Sequence, residues 1–359
     1  MAHERDEQIG RFTVPWGSLG AGRAMPNRTV VGLVITIVLI ASLVGGWYVL
    51  GQSSNHPLPR ERITIGRYGG EFSMLPHVAE AQKFFDHENL DVAFLDYQEG
   101  APAVGALLRG EVDVATASDF AFVSYAFNSS DLRILASIAT VDAIEIVARG
   151  DRGIAQPWQL IGKSVGVVRH SAGEFYLGRF LALNHLSSDD IKVVYLSPDE
   201  IVAHLTAGEI DAACMWQPYA YKMESALGTN AVAWSAQGGQ DFFVLLISRE
   251  EWMSTHASAI ERLLKAVLQA EQFAGTHVNE IQTLMAERFG YVASYVKSIL
   301  PKLTLTVKLS QALLVAMEDE ARWSIQSNLT DKKKVPNYLN FIYLDGLLTV
   351  KPDAVTIIH

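Results

Sequence analysis

The sequence contains a single cysteine, Cys214, among 359 residues. One thiol excludes an intrachain disulfide and any cysteine-rich metal or iron–sulfur site. The ten histidines show no metal-ligand spacing, and the chain lacks His-Glu-x-x-His, Gly-x-Ser-x-Gly and Gly-x4-Gly-Lys-Ser/Thr motifs. Those patterns carry zinc, acyl-transfer and nucleotide-phosphate chemistry. We therefore expect no metal, no cofactor, no catalytic residue and no enzymatic activity.

Basic residues are also fewer than acidic ones. The chain has 29 Lys and Arg against 39 Asp and Glu, a formal net charge of −10. Such a protein lacks the basic surface with which proteins bind phosphate backbones. The balance argues against nucleic acid as a partner. It says little about a small ligand, because one site can differ in sign from the whole surface.

Charge is absent altogether between Thr29 and Leu50, where most residues are apolar. The run has about the twenty residues that cross a bilayer. Arginines lie just before it and none follows until Arg60, so the positive-inside rule predicts a cytoplasmic tail and a periplasmic or extracellular body. A cleaved signal peptide usually has a shorter apolar core, of about 7–15 residues, so we expect an uncleaved signal-anchor. The predicted parts are a tail at 1–28, a single transmembrane helix in the cell membrane at 29–50 and a linker at 51–61.

One pattern occurs twice in the sequence. Residues 106–118 read ALLRGEVDVATAS, and residues 204–216 read HLTAGEIDAACMW. In each copy a helical run ends at a glycine, Gly110 or Gly208, which accepts the left-handed backbone common at helix C-termini. A short run of small and apolar residues follows, which is typical of a strand covered by helices on both faces. Two copies indicate two α/β lobes.

Strands alternate with helices along the rest of the chain, which predicts an α/β protein with two doubly wound parallel sheets. Lobe 1 is predicted at 62–141 and 237–359, and lobe 2 at 142–236. The chain then crosses between the lobes twice, which predicts a hinge. The first predicted helix runs from Pro76 to His87, and the helical C-terminal region is predicted to pack on lobe 1.

The ends of the repeated pattern are the first candidates for a ligand site, because ligands bind open α/β sheets beyond the carboxyl ends of the strands. These ends are Ser118-Asp119 and Trp216-Gln217. Trp216 offers a flat apolar wall with one N–H donor, and Gln217 offers a donor and an acceptor. A core position is the alternative for Trp216. Asp119 is predicted either to receive an amine or to cap its helix.

Two further loops supply candidate ligand contacts. A predicted helix opens at 171–173, where free N–H groups and a hydroxyl clamp an anion or a carbonyl oxygen; a plain serine N-cap is the alternative, and both can hold at once. The loop after the first strand contains two glycines, which let the backbone approach a ligand closely. The candidates in these loops are Tyr68, Gly70, Ser73, Ser171, Ala172 and Gly173.

Charged residues beside these loops are few. Glu71 is expected to point to solvent, because it would repel an anion if it pointed inward. Arg67, Arg169 and His170 are the cations next to the candidate residues. Each of them is predicted either to contact the ligand or to be surface charge.

Six motifs in order give the chain from Ile63 onward a resemblance to a known family. They are the strand at 63–68, the unit at 106–118, LIGKSVGV at 160–167, SAG at 171–173, WQPY at 216–219 and SRE at 248–250. The chain resembles the solute-binding proteins of ABC importers, in the branch for nitrate, sulfonates, taurine and thiamine-pyrimidine precursors. The resemblance implies a two-lobed periplasmic-binding-protein type 2 fold, a small polar ligand, and an ABC permease and ATPase as partners. In that family an acidic residue often stands at the position of Gln217, so recognition of an amine there is not implied.

Two other functions are alternatives to import. One is a ligand-sensing extracytoplasmic domain that has no transporter. The other is an enzyme of the same fold. The enzymatic relatives either carry a cysteine-rich iron motif or are soluble cytosolic proteins, whereas this chain has one cysteine and a predicted export segment.

Overall fold

The computed structural model of the protein describes residues 59–358. The predicted tail, the predicted transmembrane helix and most of the predicted linker lie outside the described residues. Within the described part of the chain, no helix is both long and apolar enough to span a membrane.

Two β-sheets organise the described chain. The first sheet has the strand order β11-β4-β10-β3-β1-β2, and the second has the order β7-β6-β8-β5-β9. The chain leaves the first sheet after β4, builds the whole second sheet and returns to the first sheet at β10. The strands are β1 (Glu61–Tyr68), β2 (Leu90–Tyr97), β3 (Val114–Ser118), β4 (Leu132–Val141), β5 (Ile144–Arg149), β6 (Ser164–Val167), β7 (Lys192–Tyr195), β8 (Ala212–Trp216), β9 (Ala231–Ser235), β10 (Phe242–Arg249) and β11 (Leu303–Thr304).

Helices cover the sheets and form the C-terminal region. They are α1 (Met74–Ala81), α2 (Phe84–His87), α3 (Gly100–Leu108), α4 (Asp119–Ala126), α5 (Ala172–Leu183), α6 (Pro198–Ala207), α7 (Tyr219–Leu227), α8 (Glu250–Met253), α9 (Ala257–Thr276), α10 (Val278–Phe289), α11 (Ala293–Ile299), α12 (Gln311–Gln326) and α13 (Leu344–Val350). Short 3-10 turns lie at Glu71–Ser73, Gly150–Arg152, Pro157–Leu160, Ser188–Asp190, Gly228–Asn230, Leu300–Lys302, Tyr338–Phe341 and Pro352–Ala354.

The prediction of parallel sheets is confirmed for β2-β1-β3 and for β7-β6-β8, but it was wrong for the other strands, because each sheet also contains antiparallel pairs. Strand β10 is antiparallel to both β3 and β4, and β11 is antiparallel to β4. In the second sheet β5 is antiparallel to β8 and β9. The opposed strands β5 and β10 each follow a crossing between the sheets, where the chain enters its new sheet from the opposite end. Residues of β10 are almost all buried, so this strand lies in the middle of the core.

The repeated sequence pattern has the same structural role in both sheets. Gly110 and Gly208 have positive φ angles of 74° and 78°. In the first copy the N–H of Thr64 donates to the Asp113 carboxylate over 2.8 Å. In the second the N–H of Ser164 donates to the Asp211 carboxylate over 2.9 Å. The aspartate three residues after each glycine therefore bonds to the backbone of the neighbouring parallel strand, in the middle of β1 and at the first residue of β6.

The first predicted helix is interrupted in the structure. It ends at Ala81, and α2 begins at Phe84. Lys83 between them has a φ of 59°, a left-handed conformation that a continuous right-handed helix cannot contain. The C-terminal helix α9 packs on α1, α2 and α13, so it covers the first sheet's side of the molecule.

Gln237 joins the two crossings between the sheets. Its side-chain oxygen accepts from the N–H groups of Ala143 and Ile144 over 2.8 and 3.1 Å. Its side-chain amide donates to the carbonyl of Val141 over 2.8 Å. One buried side chain thus holds the end of β4, the start of β5 and the segment before β10 in one place.

Candidate ligand site

A cavity of about 140 Å³ lies between the two sheets. Pockets for drug-sized ligands measure about 300–1,000 Å³, so this one suits a small solute. The first sheet's side supplies most of the lining, and the second sheet's side supplies 169–172 and Trp216. The lining residues are Tyr68, Phe72, Gln98, Glu99, Gly100, Ala101, Ala117, Ser118, Phe120, Ala121, Ser124, Arg169, His170, Ser171, Ala172, Trp216, Phe242 and Val244.

Strand ends and helix starts form the walls of the cavity. Strands β3 and β8 end in the lining at Ser118 and Trp216, and helices α3 and α5 begin there at Gly100 and Ala172. Helix α4 begins directly after Ser118. The first N–H groups of a helix have no partner within it, and they carry a partial positive charge. At α4 the N–H groups of Phe120 and Ala121 are already bonded to the side chains of Asp119 and Ser118. The starts of α3 and α5 are therefore the two that favour a ligand with an anionic group.

The two serines in the lining both cap helices. Ser118 accepts from the N–H of Ala121 over 3.1 Å, and Ser171 accepts from the N–H of Glu174 over 3.4 Å. The Ser171 hydroxyl donates its proton to the carbonyl of Val168 over 2.7 Å, so its hydrogen-bonding capacity is satisfied within the protein. Among the described residues the Ser118 hydroxyl proton has no such acceptor, which leaves Ser118 free to donate into the cavity.

Aromatic residues make up the apolar part of the lining. Trp216 is half-buried, and its ring meets that of Tyr219 edge-on with centroids 6.1 Å apart. On the other wall Tyr68, Phe72 and Phe242 form a row with centroid separations of 5.7 and 5.8 Å. The two walls therefore offer flat apolar surfaces on which the non-polar part of a ligand can pack.

Half of the predicted ligand contacts do not line the cavity and lie behind the residues that do: Gly70, Ser73, Asp119, Gly173 and Gln217. A Cβ on Gly70 would lie 2.6 Å from the Tyr68 ring, and one on Gly173 would lie 3.4 Å from the carbonyl of Cys214, so both glycines permit close packing of lining elements. Ser73 is fully buried and bonds the Thr116 hydroxyl over 2.8 Å. Gln217 is buried and accepts from the N–H of Tyr221 over 3.1 Å, which caps α7.

Asp119 also lies behind the wall, where no amine ligand reaches it. Its carboxylate accepts from the N–H groups of Phe120 and Phe243 over 3.0 and 3.1 Å. Glu320 of α12 faces it, and both residues are fully buried. Burial raises the pKa of Asp119 to about 7. Burial, and then the nearby Asp119, raise the pKa of Glu320 well above its usual range. Two carboxyl groups buried side by side disfavour the ionised form, so the raised pKa of Glu320 favours a protonated carboxyl there.

Glu71 is buried, so the expectation that it points to solvent was wrong. Its carboxylate accepts from the hydroxyl of Tyr291 over 2.6 Å and from the hydroxyl of Tyr295. Burial raises the pKa of Glu71, and the two tyrosine hydrogen bonds oppose that rise. Glu71 thus ties the loop beside Tyr68 to the C-terminal region and does not present its charge to the cavity.

The cations divide between the core and the cavity. Arg67 is fully buried and pairs with Glu80 and Asp96 at 2.8 and 2.6 Å, so it does not line the cavity. Arg169 and His170 do line it. The Arg169 guanidinium lies 4.2 Å from the centre of the Tyr195 ring. The second sheet's wall therefore carries a positive charge.

Sequence reasoning missed the residues that follow β2. Gln98, Glu99 and Gly100 lie in the lining directly after this strand. Their position at the carboxyl end of a parallel strand is the signal that identified Ser118 and Trp216, and it applies equally here. Phe120 and Phe242 had no comparable signal, because an apolar residue in a helix or strand fits the core as well as a site.

The fold and the cavity define a class: two-sheet α/β proteins of the periplasmic-binding-protein type, with a small site between the sheets. A family model described as NMT1/THI5 like matches residues 74–281, more than half of the chain. The chain belongs to this family, which confirms the resemblance found in the sequence.

Individual proteins agree with this assignment. A protein of Bacillus subtilis (strain 168) named for binding aliphatic sulfonates is 22% identical over 307 residues, or 84% of this chain and 91% of that protein. The taurine-binding periplasmic protein of Escherichia coli (strain K12) is 25% identical over 203 residues, or 54% of this chain and 61% of that protein. The crystal structure of the periplasmic aliphatic sulphonate binding protein SsuA from Escherichia coli superposes with a TM-score of 0.68 at 19% identity. The superposition covers 78% of this chain and 99% of the SsuA chain. The shared structure confirms the fold.

Proposed function

We propose that the protein is the extracytoplasmic solute-binding component of an ABC importer and that it captures a small sulfonate between two lobes. The lobes are the parts built on the first and second sheets, with boundaries near 141/142 and 236/237. The observation that carries this proposal is the cavity between the sheets, which both sheets line and on which three helix starts converge. The relatives named for binding aliphatic sulfonates and taurine support the ligand class.

The physical fit to a sulfonate has two parts. The oxygens of the sulfonate accept hydrogen bonds from the first N–H groups of α5 at Ala172 and from the Ser118 hydroxyl, with Arg169 nearby as counter-charge. The organic part packs between Trp216 and the aromatic row of Tyr68, Phe72 and Phe242. Enzymatic activity forms no part of the proposal, because the residues that line the cavity offer no pairing of a nucleophile with a base.

A membrane tether would keep the binding body close to a membrane permease. The uncharged run at 29–50 supports an N-terminal membrane tether. The linker at 51–61 would let the binding body move away from the membrane surface while it stays attached. Both inferences rest on the sequence.

Titration calorimetry of the purified full chain with propanesulfonate tests the proposed function. We expect saturable one-to-one binding, and mass spectrometry should recover the sulfonate unchanged. Recovery of a converted product would favour an enzyme of the same fold. Co-purification with permease and ATPase subunits separates an importer from a sensing domain. No binding of any sulfonate would contradict the proposal.

A further inference from the structure

The two walls of the cavity carry charges of opposite sign. Glu99 is the acidic residue of the lining and belongs to the first sheet's side. Arg169 and His170 belong to the second sheet's side. The aromatic residues and the small residues between them carry no charge. An elongated ligand that touches both walls therefore meets a negative group at one end and a positive group at the other.

Glu99 has no partner within the described protein. It is the N-cap residue of α3, yet its side chain makes no capping hydrogen bond. No ion pair or side-chain hydrogen bond joins it to any residue in 59–358. Burial against the cavity wall raises its pKa, so the carboxylate loses water without gaining a donor. A cationic group on a ligand would replace the lost interaction.

Arg169 is positioned for the opposite end of the ligand. Its guanidinium lies on the Tyr195 ring, and within the described residues no carboxylate lies at ion-pair distance from it. The nearby Glu174 carboxylate is already bonded to the Tyr195 hydroxyl over 2.7 Å and to the N–H of His170 over 2.5 Å. Arg169 and the start of α5 therefore form the anion-binding end of the cavity.

We propose that Glu99 determines the charge class of the ligand: the cavity takes an amino-substituted sulfonate, with its ammonium at Glu99 and its sulfonate at Arg169 and the start of α5. This inference rests on the proposed function and refines it. The carboxylate lies on a different strand end, and on a different sheet, from Gln217, whose amide is buried and caps α7. Repulsion by Glu99 also explains why the sulfonate should bind at the second sheet's wall.

Calorimetric titration of the full chain with propanesulfonate and with its ω-amino derivative tests this inference. A hydrogen-bonded charge contributes about 1.5–3 kcal/mol, so the wild-type protein should prefer the amino compound by roughly 10- to 150-fold. Glu99→Gln should abolish the preference by weakening the amino compound alone. Glu111→Gln is the matched control, because Glu111 is an exposed acid paired with Arg109 outside the cavity. It should leave both affinities unchanged.

The other outcomes distinguish a failure of this inference from a failure of the proposed function. Equal binding of the two compounds by wild-type protein, unaffected by Glu99→Gln, would overturn the role of Glu99 and leave the proposed function intact. Equal weakening of both compounds by Glu99→Gln would show instead that Glu99 pairs with Arg169 when the lobes close, and would also overturn the inference. If wild-type protein binds neither compound, the proposed function itself fails. Thermal melts of each variant establish that it is folded.

Discussion

Trp216 ends β8 and lines the cavity beside the start of α5. Its ring is half-buried and lies 3.7 Å from the place where a Cβ on Gly173 would stand. The ring therefore contacts the start of α5, and its exposed part lines the cavity. This environment fits a ligand wall better than a core position, in which the whole indole would be enclosed.

Trp216→Ala should weaken sulfonate binding by roughly 5- to 150-fold, because an aromatic wall of this kind contributes about 1–3 kcal/mol. Most of the folding stability should remain. Titration calorimetry and thermal melts of the ligand-free variant measure the two effects. Trp234→Ala is the matched control, since Trp234 lies in the same sheet and packs on Phe180 outside the cavity. It should lower the melting temperature and keep the affinity. The reverse pattern for Trp216 would remove it from the site.

Individual residues show where sequence reasoning succeeds and where it stops. Ser118 and Trp216 were found because a strand end has a local pattern. The next residues, Asp119 and Gln217, enter or cap a helix and turn away from the cavity, which the strand pattern does not reveal. Glu71 was misplaced because its partners, Tyr291 and Tyr295, lie 220 and 224 residues further along the chain.

At the scale of elements, the contact between α4 and α12 depends on protonation. Asp119 and Glu320 face each other there, fully buried. A carboxyl with a raised folded-state pKa binds its proton more tightly in the folded chain, so the unfolded state holds fewer protons. The contribution of the pair to stability then falls as pH rises from its unfolded pKa, about 4, through the folded value of about 7 for Asp119.

Glu320→Gln should weaken this dependence, because position 320 no longer titrates and the amide can donate to an ionised Asp119, while burial still raises the pKa of Asp119. The melting temperature of the variant should exceed that of wild type at about pH 8 and differ little from it at about pH 5. Each kcal/mol of unfolding free energy corresponds to roughly 2–4 °C. Differential scanning calorimetry across this range measures the difference. Glu318→Gln on the exposed face of the same helix is the control. A difference between Glu320→Gln and wild type that does not change with pH would contradict the raised pKa values of the pair.

The segment at 29–50 is the other element with a testable role. Its length favours an uncleaved anchor, so N-terminal sequencing of protein extracted from membranes should give the start of the chain. Insertion of two arginines into the middle of the run should release the body from the membrane or block export, since each costs about 2.5–3.5 kcal/mol there. The same insertion into the linker at 51–61 should do neither. A mature N-terminus near Gly51 would contradict the anchor and indicate a freely diffusing body.

Much of the element order could be predicted from the sequence. Strands β3 and β8 end at Ser118 and Trp216, as the repeated pattern predicted, because a short apolar run after a glycine marks each strand clearly. The antiparallel directions of β5 and β10 could not be predicted, since direction depends on how the chain crosses between sheets. The interruption at Lys83 also escaped prediction, because its left-handed backbone has no signal in an otherwise helical sequence.

At the scale of the whole molecule, contacts on both sides of the cavity join the two sheets' parts. The hydroxyls of Tyr221 in α7 and Ser294 in α11 lie 2.7 Å apart, and the rings of Tyr221 and Tyr295 have centroids 5.0 Å apart. On the other side Trp323 of α12 packs edge-on against Phe175 of α5, with centroids 5.5 Å apart. These contacts form only if the parts are close together. They therefore stabilise a closed arrangement around the cavity.

Ligand binding should shift the molecule toward this closed arrangement, with Gln237 and the two crossings as the hinge. Small-angle neutron scattering of the full chain in contrast-matched detergent should show a smaller radius of gyration with saturating sulfonate than without it. Tyr221→Phe removes the hydrogen bond to Ser294 and keeps the ring, so it should favour the open form and weaken affinity by roughly 2- to 13-fold, from about 0.5–1.5 kcal/mol. Tyr343→Phe is the control, because Tyr343 lies outside the cavity, and it should change neither the radius of gyration nor the affinity. Tyr195→Phe would not serve, because Tyr195 supports Arg169. An unchanged radius at saturation would show that the lobes do not close on the ligand.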